Sequence, residues 1–149
     1  MTTGGFSILE MMIVLVLAGF LLGVFLVRLR GLGDQKDMET ARGDLRAIQT
    51  AIHAYYLNHN KTYPEGADWQ NNDLVNDDPR ILRQVLYDPF RSPDTEYSYF
   101  RSSNGIYYVA FSYGPDKSPD ITGIGDDGQL TGQNDDDMFV SNGSGSFGS

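Results

Sequence analysis

The chain has 149 residues, 20 acidic against 11 basic side chains, and no cysteine. That length leaves room for one modest domain, and the missing thiols exclude disulfides, thiolate metal sites and cysteine nucleophiles. The formal charge of −9 is uneven: residues 94–149 carry 9 acidic and 2 basic side chains and so account for −7 of it. Phosphate binding needs clustered Lys and Arg, so no nucleic-acid partner is expected, and the acidic third reads as a cation site or a solvated edge.

The N-terminal stretch is Gly5-Phe6-Ser7-Ile8-Leu9-Glu10, followed from Met11 to Val27 by residues with no charged side chain. Phe6 to Val27 is long enough to cross a bilayer, which takes roughly 20 residues. Glu10 is the exception, because a carboxylate at membrane depth costs on the order of 2.5 to 3.5 kcal/mol and calls for a partner. A secretory signal fits less well, since its apolar region is about 7 to 15 residues long and leads to a small-residue cleavage site.

This stretch resembles the signal of the type IV pilin and type II secretion pseudopilin superfamily. The resemblance implies cleavage by a prepilin peptidase between Gly5 and Phe6, methylation of the new N-terminal Phe6, and pairing of Glu10 with the Phe6 amine of a neighbouring subunit. Early placement also suits the carboxylate, because the first turn of a helix has free N–H groups and a positive dipole end. Residues 1–5 then form a leader, and residues 6–30 a transmembrane and assembly helix. The leader lacks Lys and Arg while Arg28, Arg30 and Lys36 follow the apolar run, which alone would put that side in the cytoplasm. Long domains translocate largely regardless of charge, so the head is expected outside. Gly19 and Gly23 fit either ordinary transmembrane glycine use or close helix packing. This segment has no proline, so any softening of the helix falls to its glycines, including Gly31 and Gly33.

From Asp34 to His59 the pattern becomes amphipathic. Ala41, Leu45, Ile48, Ile52 and Tyr55 recur at the period of one helical face. Residues 31–60 are therefore expected as a helix whose stripe packs on a sheet, with Asn58, Asn60 and Pro64 as stop signals. His53 and His59 lack a partner at ligand spacing and read as structural or surface residues. Two sequons, Asn60-Lys61-Thr62 and Asn142-Gly143-Ser144, are common by chance.

Residues 61–149 are expected as the globular head. Residues 65–77 read as loop, Asp78 as an N-cap with Pro79 at the first helical position, and Ile81, Leu82, Val85 and Leu86 as the face of a short helix. Tyr97 to Phe100, Ser103-Asn104-Gly105 and Ile106 to Ser112 read as a β-hairpin, with Tyr107, Val109 and Phe111 on one face. The fold expected is α+β, a long helix packed against a small antiparallel sheet and followed by an acidic, Gly-rich loop. The Gly/Ser-rich tail from Ser141 reads as flexible.

The last feature is the run Ser112-Tyr113-Gly114-Pro115-Asp116, Asp120, Asp126-Asp127 and Asp135-Asp136-Asp137. Ca²⁺ takes six to eight oxygens, and glycine-rich loops can turn carbonyls inward, so the composition suits that ion as well as a solvated edge. Tyr63-Pro64, Asp88-Pro89-Phe90 and this loop are similar to the head of major secretion pseudopilins. That resemblance implies Ca²⁺ held by Asp116 and members of the Asp135, Asp136 and Asp137 cluster, with Asp126 and Asp127 in an extra insertion. It further implies a homopolymeric filament in the periplasm or outside the cell. The single-pass subunits start in the inner-membrane lipid, among an assembly platform, the prepilin peptidase and minor pseudopilins. A surface pilus subunit and a singly anchored acidic binding domain are the alternatives. No nucleophile elbow, phosphate loop or paired-histidine motif is present, so no enzyme is expected.

Overall fold

The computed structural model describes residues 7–133 and 135–145, with the side chains of residues 26–32 outside that description. Gly5 and Phe6 therefore lie outside the described residues. One helix, α1, spans Ile8–Asn58. Among the described residues five strands follow: β1 (Ser98–Arg101), β2 (Tyr108–Ser112), β3 (Ile121–Ile124), β4 (Leu130–Gly132) and β5 (Met138–Ser141). The chain divides into two compact units, Met1–Lys36 and Asp37–Ser149.

In the first unit, Ile8–Phe25 is long and apolar enough to cross a membrane. Its large side chains are all exposed, Ile8 at 82 %. Glu10 lies in the first turn of α1 and is exposed among them.

In the second unit the apolar stripe of α1 is buried. Ala41, Leu45, Ile48, Ala51 and Ile52 join Trp69, Leu74, Phe90, Tyr97, Tyr108 and Ala110 in one core. The sheet that covers this stripe is antiparallel in the order β1-β2-β5. Successive side chains of a strand point to opposite faces, and β2 is buried on both. Tyr108 and Ala110 face the α1 core, while Val109 and Phe111 enter a second core with Ile121, Ile124 and Leu130. That second core lies under the β3-β4 hairpin. The glycine-rich segment expected as loop thus supplies a third layer, and the expected tail begins inside β5.

The short helix expected from Pro79 does not form. A π-helical turn occupies Gln70–Val75 instead, and the chain is irregular from Asn76 to Leu86. The backbone donors a helix would use are committed elsewhere. Ile81 and Leu82 both donate to the Leu74 carbonyl, at 3.0 and 2.8 Å. The buried Gln70 amide accepts from Leu86 N at 2.9 Å and donates to Leu86 O at 3.1 Å. Ile81, Leu82 and Leu86 still pack on the core, so their apolar spacing reports burial without helicity.

Candidate metal centre

The chain before β3 and the chain before β5 converge, the first bringing one carboxylate and the second two. Asp120, Asp136 and Asp137 place one oxygen apiece within 4.8 Å of one another. Backbone N–H groups fix all three. Asp137 Oδ2 accepts from Asp120 N at 2.8 Å and Ile121 N at 2.9 Å. Asp136 Oδ2 accepts from Asp116 N at 3.0 Å. Asp120 Oδ2 accepts from Asp135 N at 2.7 Å. Each carboxylate is therefore held by backbone N–H groups of a segment other than its own.

Their remaining oxygens set the chemistry. Asp137 is only 5 % exposed, and its Oδ1, like Asp136 Oδ1, is buried without a hydrogen-bond partner. Buried acceptors of this kind cost free energy unless something satisfies them. Burial raises the Asp137 carboxyl above its ordinary range, opposed by the N–H groups of Ile121 and Asp120 and reinforced by the charges of Asp120 and Asp136. The Asp136 carboxyl is raised too, first by burial; the Asp116 N–H opposes this, and the Asp116, Asp120 and Asp135 charges add to it. A cation would relieve both the repulsion and the orphaned oxygens, so the residues present fit a metal ion. Among the described residues, neither ion pair involves these carboxylates, being His59 with Asp77 and Arg101 with Glu65.

Of the four aspartates expected as ligands, Asp136 and Asp137 are brought together. Asp116 turns its Oδ1 to Ser118 N at 2.7 Å, and Asp135 is exposed. Neither belongs to the three-carboxylate group. Asp120 does, although its position in the acidic run gave no reason to separate it from its neighbours. The signal lay after it, where Ile121, Ile124 and Leu130 mark a buried hairpin whose start fixes Asp120. The neighbouring turn is packed tightly. Gly114 has φ +69°, and a Cβ there would meet Asp136 O at 2.5 Å. Buried Asp88 anchors the same turn, accepting from Ser112 Oγ at 2.7 Å and Tyr113 N at 3.0 Å.

Asp126 and Asp127 lie away from this group, at the tip of the β3-β4 hairpin. Asp126 Oδ1 accepts from Asn104 N at 2.8 Å, and Asn104 Nδ2 donates to Asp126 O at 3.0 Å, so the tip is fastened to the β1-β2 turn. His59 Nε2 contacts both Asp77 oxygens, at 3.0 and 3.1 Å, in a structural role. Asn142 uses its side chain on Tyr108 N, Tyr63 OH and Ile106 O.

Comparison with known proteins agrees with the architecture. The chain is 30% identical over 132 residues to the type II secretion system core protein G of Vibrio cholerae serotype O1, covering 87% of this chain and 84% of that protein. The protein of the same name from Aeromonas hydrophila is 31% identical over 98 residues, 60% of this chain and 68% of its own length. The one from Pectobacterium carotovorum subsp. carotovorum is 28% identical over 125 residues, 77% and 78% respectively. No family model and no solved structure matches the chain. With that extent of shared sequence, an exposed apolar N-terminal helix and an α+β head, the chain belongs to the type II secretion system core protein G family of pseudopilins.

Proposed function

We propose that this chain is the filament subunit of a type II secretion machine, cut between Gly5 and Phe6 and polymerised through the N-terminal part of α1. The observation that carries the reading is the exposed apolar stretch Ile8–Phe25 with Glu10 in its first turn. An apolar surface of that size needs lipid before assembly and neighbouring helices after it. Glu10 supplies the polar selectivity. Its carboxylate is costly in lipid, and docking beside the Phe6 amine of a neighbour removes that cost. The subunit then starts in the inner membrane and ends in a periplasmic filament, with the peptidase, assembly platform and minor pseudopilins as partners. Its role is structural rather than catalytic.

Calcium is the ion we assign to the three-carboxylate group. The donors are all hard oxygens on glycine-rich loops, and a flexible shell of six to eight oxygens suits Ca²⁺ better than the octahedral demand of Mg²⁺. Asp116 and Asp135 are close enough in sequence to contribute further oxygens.

Intact-mass analysis and electron microscopy of cells overproducing the chain test the main reading. The mature protein is expected to begin at a methylated Phe6 and to form filaments that Glu10→Ala abolishes while leaving membrane insertion intact. A mature chain that still begins at Met1, or normal filament yield from Glu10→Ala, would overturn it.

A further inference from the structure

Next to the metal centre, but outside it, is a cleft of about 500 Å³ lined by Phe90, Arg91, Ser92, Pro93, Tyr113 and Lys117. In a chain of charge −9 its lining holds two cations and no carboxylate; the cleft at Lys61 and Arg101 has the same composition, but there Arg101 is already paired with Glu65. The Arg91 guanidinium is fixed in three ways. Its Nη1 donates to Glu96 O at 3.1 Å and to Ser98 Oγ at 3.2 Å, and its carbon lies 4.2 Å from the centre of the Tyr113 ring. The other guanidinium N–H groups have no partner among the described residues. Lys117 also lines the cleft. Its backbone is pinned by a hydrogen bond from its N–H to Gly114 O at 3.1 Å and takes φ +64°, a conformation side chains other than glycine seldom adopt. Its ammonium is exposed and unpaired among the described residues. The adjacent Asp116 carboxylate accepts through Oδ1 from Ser118 N.

A prearranged guanidinium with free donors, a second cation and an aromatic wall make a carboxylate receptor, because a planar guanidinium matches a carboxylate with two parallel hydrogen bonds. We propose that this cleft binds an aspartate side chain from the acidic C-terminal third of a second copy of this chain. The occupant follows from charge. Identical chains of net charge −9 repel unless a cationic site on one meets a surplus of acid on the next, and residues 94–149 hold −7 of that charge, with Asp126, Asp127 and Asp135 exposed. The contact joins two different patches, so a head-to-tail arrangement of copies can repeat it along a filament. That geometry suits a filament. The inference rests on the filament reading for its occupant, but the receptor itself does not.

The chain has three lysines, Lys36, Lys61 and Lys117, which makes carbodiimide coupling a direct probe because it joins an amine to a carboxylate only where they touch. Full-length chain grown in light and heavy nitrogen is mixed, reconstituted in detergent micelles or in membranes, coupled and digested. The expected result is mixed-isotope Lys117–aspartate links mapping to residues 116–137. Arg91→Gln should reduce them about tenfold with Lys117 still present, while Lys61 products stay constant and certify that the fold is intact. Lys117→Glu should lower copy-to-copy association, and Asp127→Lys in the same chain should restore it. Lys117 links confined to one copy, or mixed links indifferent to Arg91→Gln, would overturn the proposal. Filaments without mixed Lys117 links would defeat this site and leave the filament reading standing; mixed links without filaments would support the site and count against that reading.

Discussion

Two parts of α1 use the same kinds of side chain in opposite ways. Between Ile8 and Phe25, isoleucine, leucine, valine and phenylalanine are all exposed, whereas Ala41, Leu45, Ile48 and Ile52 are at most 2 % exposed in the head core. In the head, burial is achieved within the chain, by the β1-β2-β5 sheet and the 70–90 segment. In the N-terminal stretch nothing among the described residues covers the apolar side chains, so the energy of their burial belongs to lipid or to other subunits. The head is therefore a folding unit, and the N-terminal stretch is an assembly element that a folding measurement on the chain alone should hardly register.

The sharpest way to break that contrast is to make one truncation in each part. Ile48→Ala removes a fully buried side chain from the α1 core and should lower head stability by about 2–5 kcal/mol in denaturant unfolding. Leu15→Ala should change head stability by less than about 0.5 kcal/mol, with its effect confined to filament yield. Equal losses of head stability would mean that the two parts fold as one.

Much of this contrast is legible in the sequence, because it depends on periodicity and on unbroken apolarity. The Ala41 to Tyr55 stripe and the β1-β2 hairpin come directly from those signals. The helix expected from Pro79 did not, since Ile81, Leu82 and Leu86 are apolar at helical spacing for a different reason: Gln70 and Leu74 capture the backbone donors of that segment. The β3-β4 layer was hidden because glycine and aspartate dominate it, leaving Ile121, Ile124 and Leu130 as sparse markers of a second core. For the metal centre, the acidic composition was visible but the convergence was not. Which aspartates meet depends on loop closure through backbone N–H groups, and no local pattern encodes that.

Calcium tests whether the acidic layer contributes to the head as its core does. A cation that binds only the folded state at a hundred times its Kd stabilises by about 2.7 kcal/mol. The melting temperature of metal-stripped full chain in micelles should rise on adding Ca²⁺, rise less with Mg²⁺ and return with chelator. Asp120→Asn should remove most of the calcium response, because it neutralises one of the three converging carboxylates. An unchanged melting curve would make the group a solvated acidic edge.

A smaller effect is expected where the helix meets the sheet through a polar bond. Tyr97 OH donates to Asp44 Oδ2 at 3.0 Å, joining α1 to the entry of β1. Burial raises the Asp44 carboxyl above its ordinary range, and the Tyr97 bond opposes that shift. Tyr97→Phe leaves the ring in the core and removes only the donor, so the cost should be about 1 kcal/mol, the lower end for an orphaned acceptor that keeps some access to water. A loss as large as that of Ile48→Ala would show that the bond organises the core rather than trimming it.

The smallest expected effect is a pH dependence whose sign separates the acidic layer from the rest of the head. The Asp136 and Asp137 carboxyls are raised above the ordinary 3.8 chiefly by burial, while the unfolded chain titrates near the ordinary value. Between the two values the native state binds more protons than the unfolded state, so stability falls as pH rises through that window, and the loss persists above it. Asp44 and Glu96, both raised mainly by burial, act in the same direction. A bound divalent cation requires ionised ligands and takes the place of those protons, so it should stabilise increasingly as pH rises. Subtracting the melting curve in chelator from that in calcium, at each pH, cancels the contribution of Asp44, Glu96 and the exposed acids. The difference should grow from near zero in acid to its full value toward neutrality, and Asp137→Asn should flatten it. A difference independent of pH would show that the ion does not compete with protons at Asp136 and Asp137, and would place it elsewhere on the head.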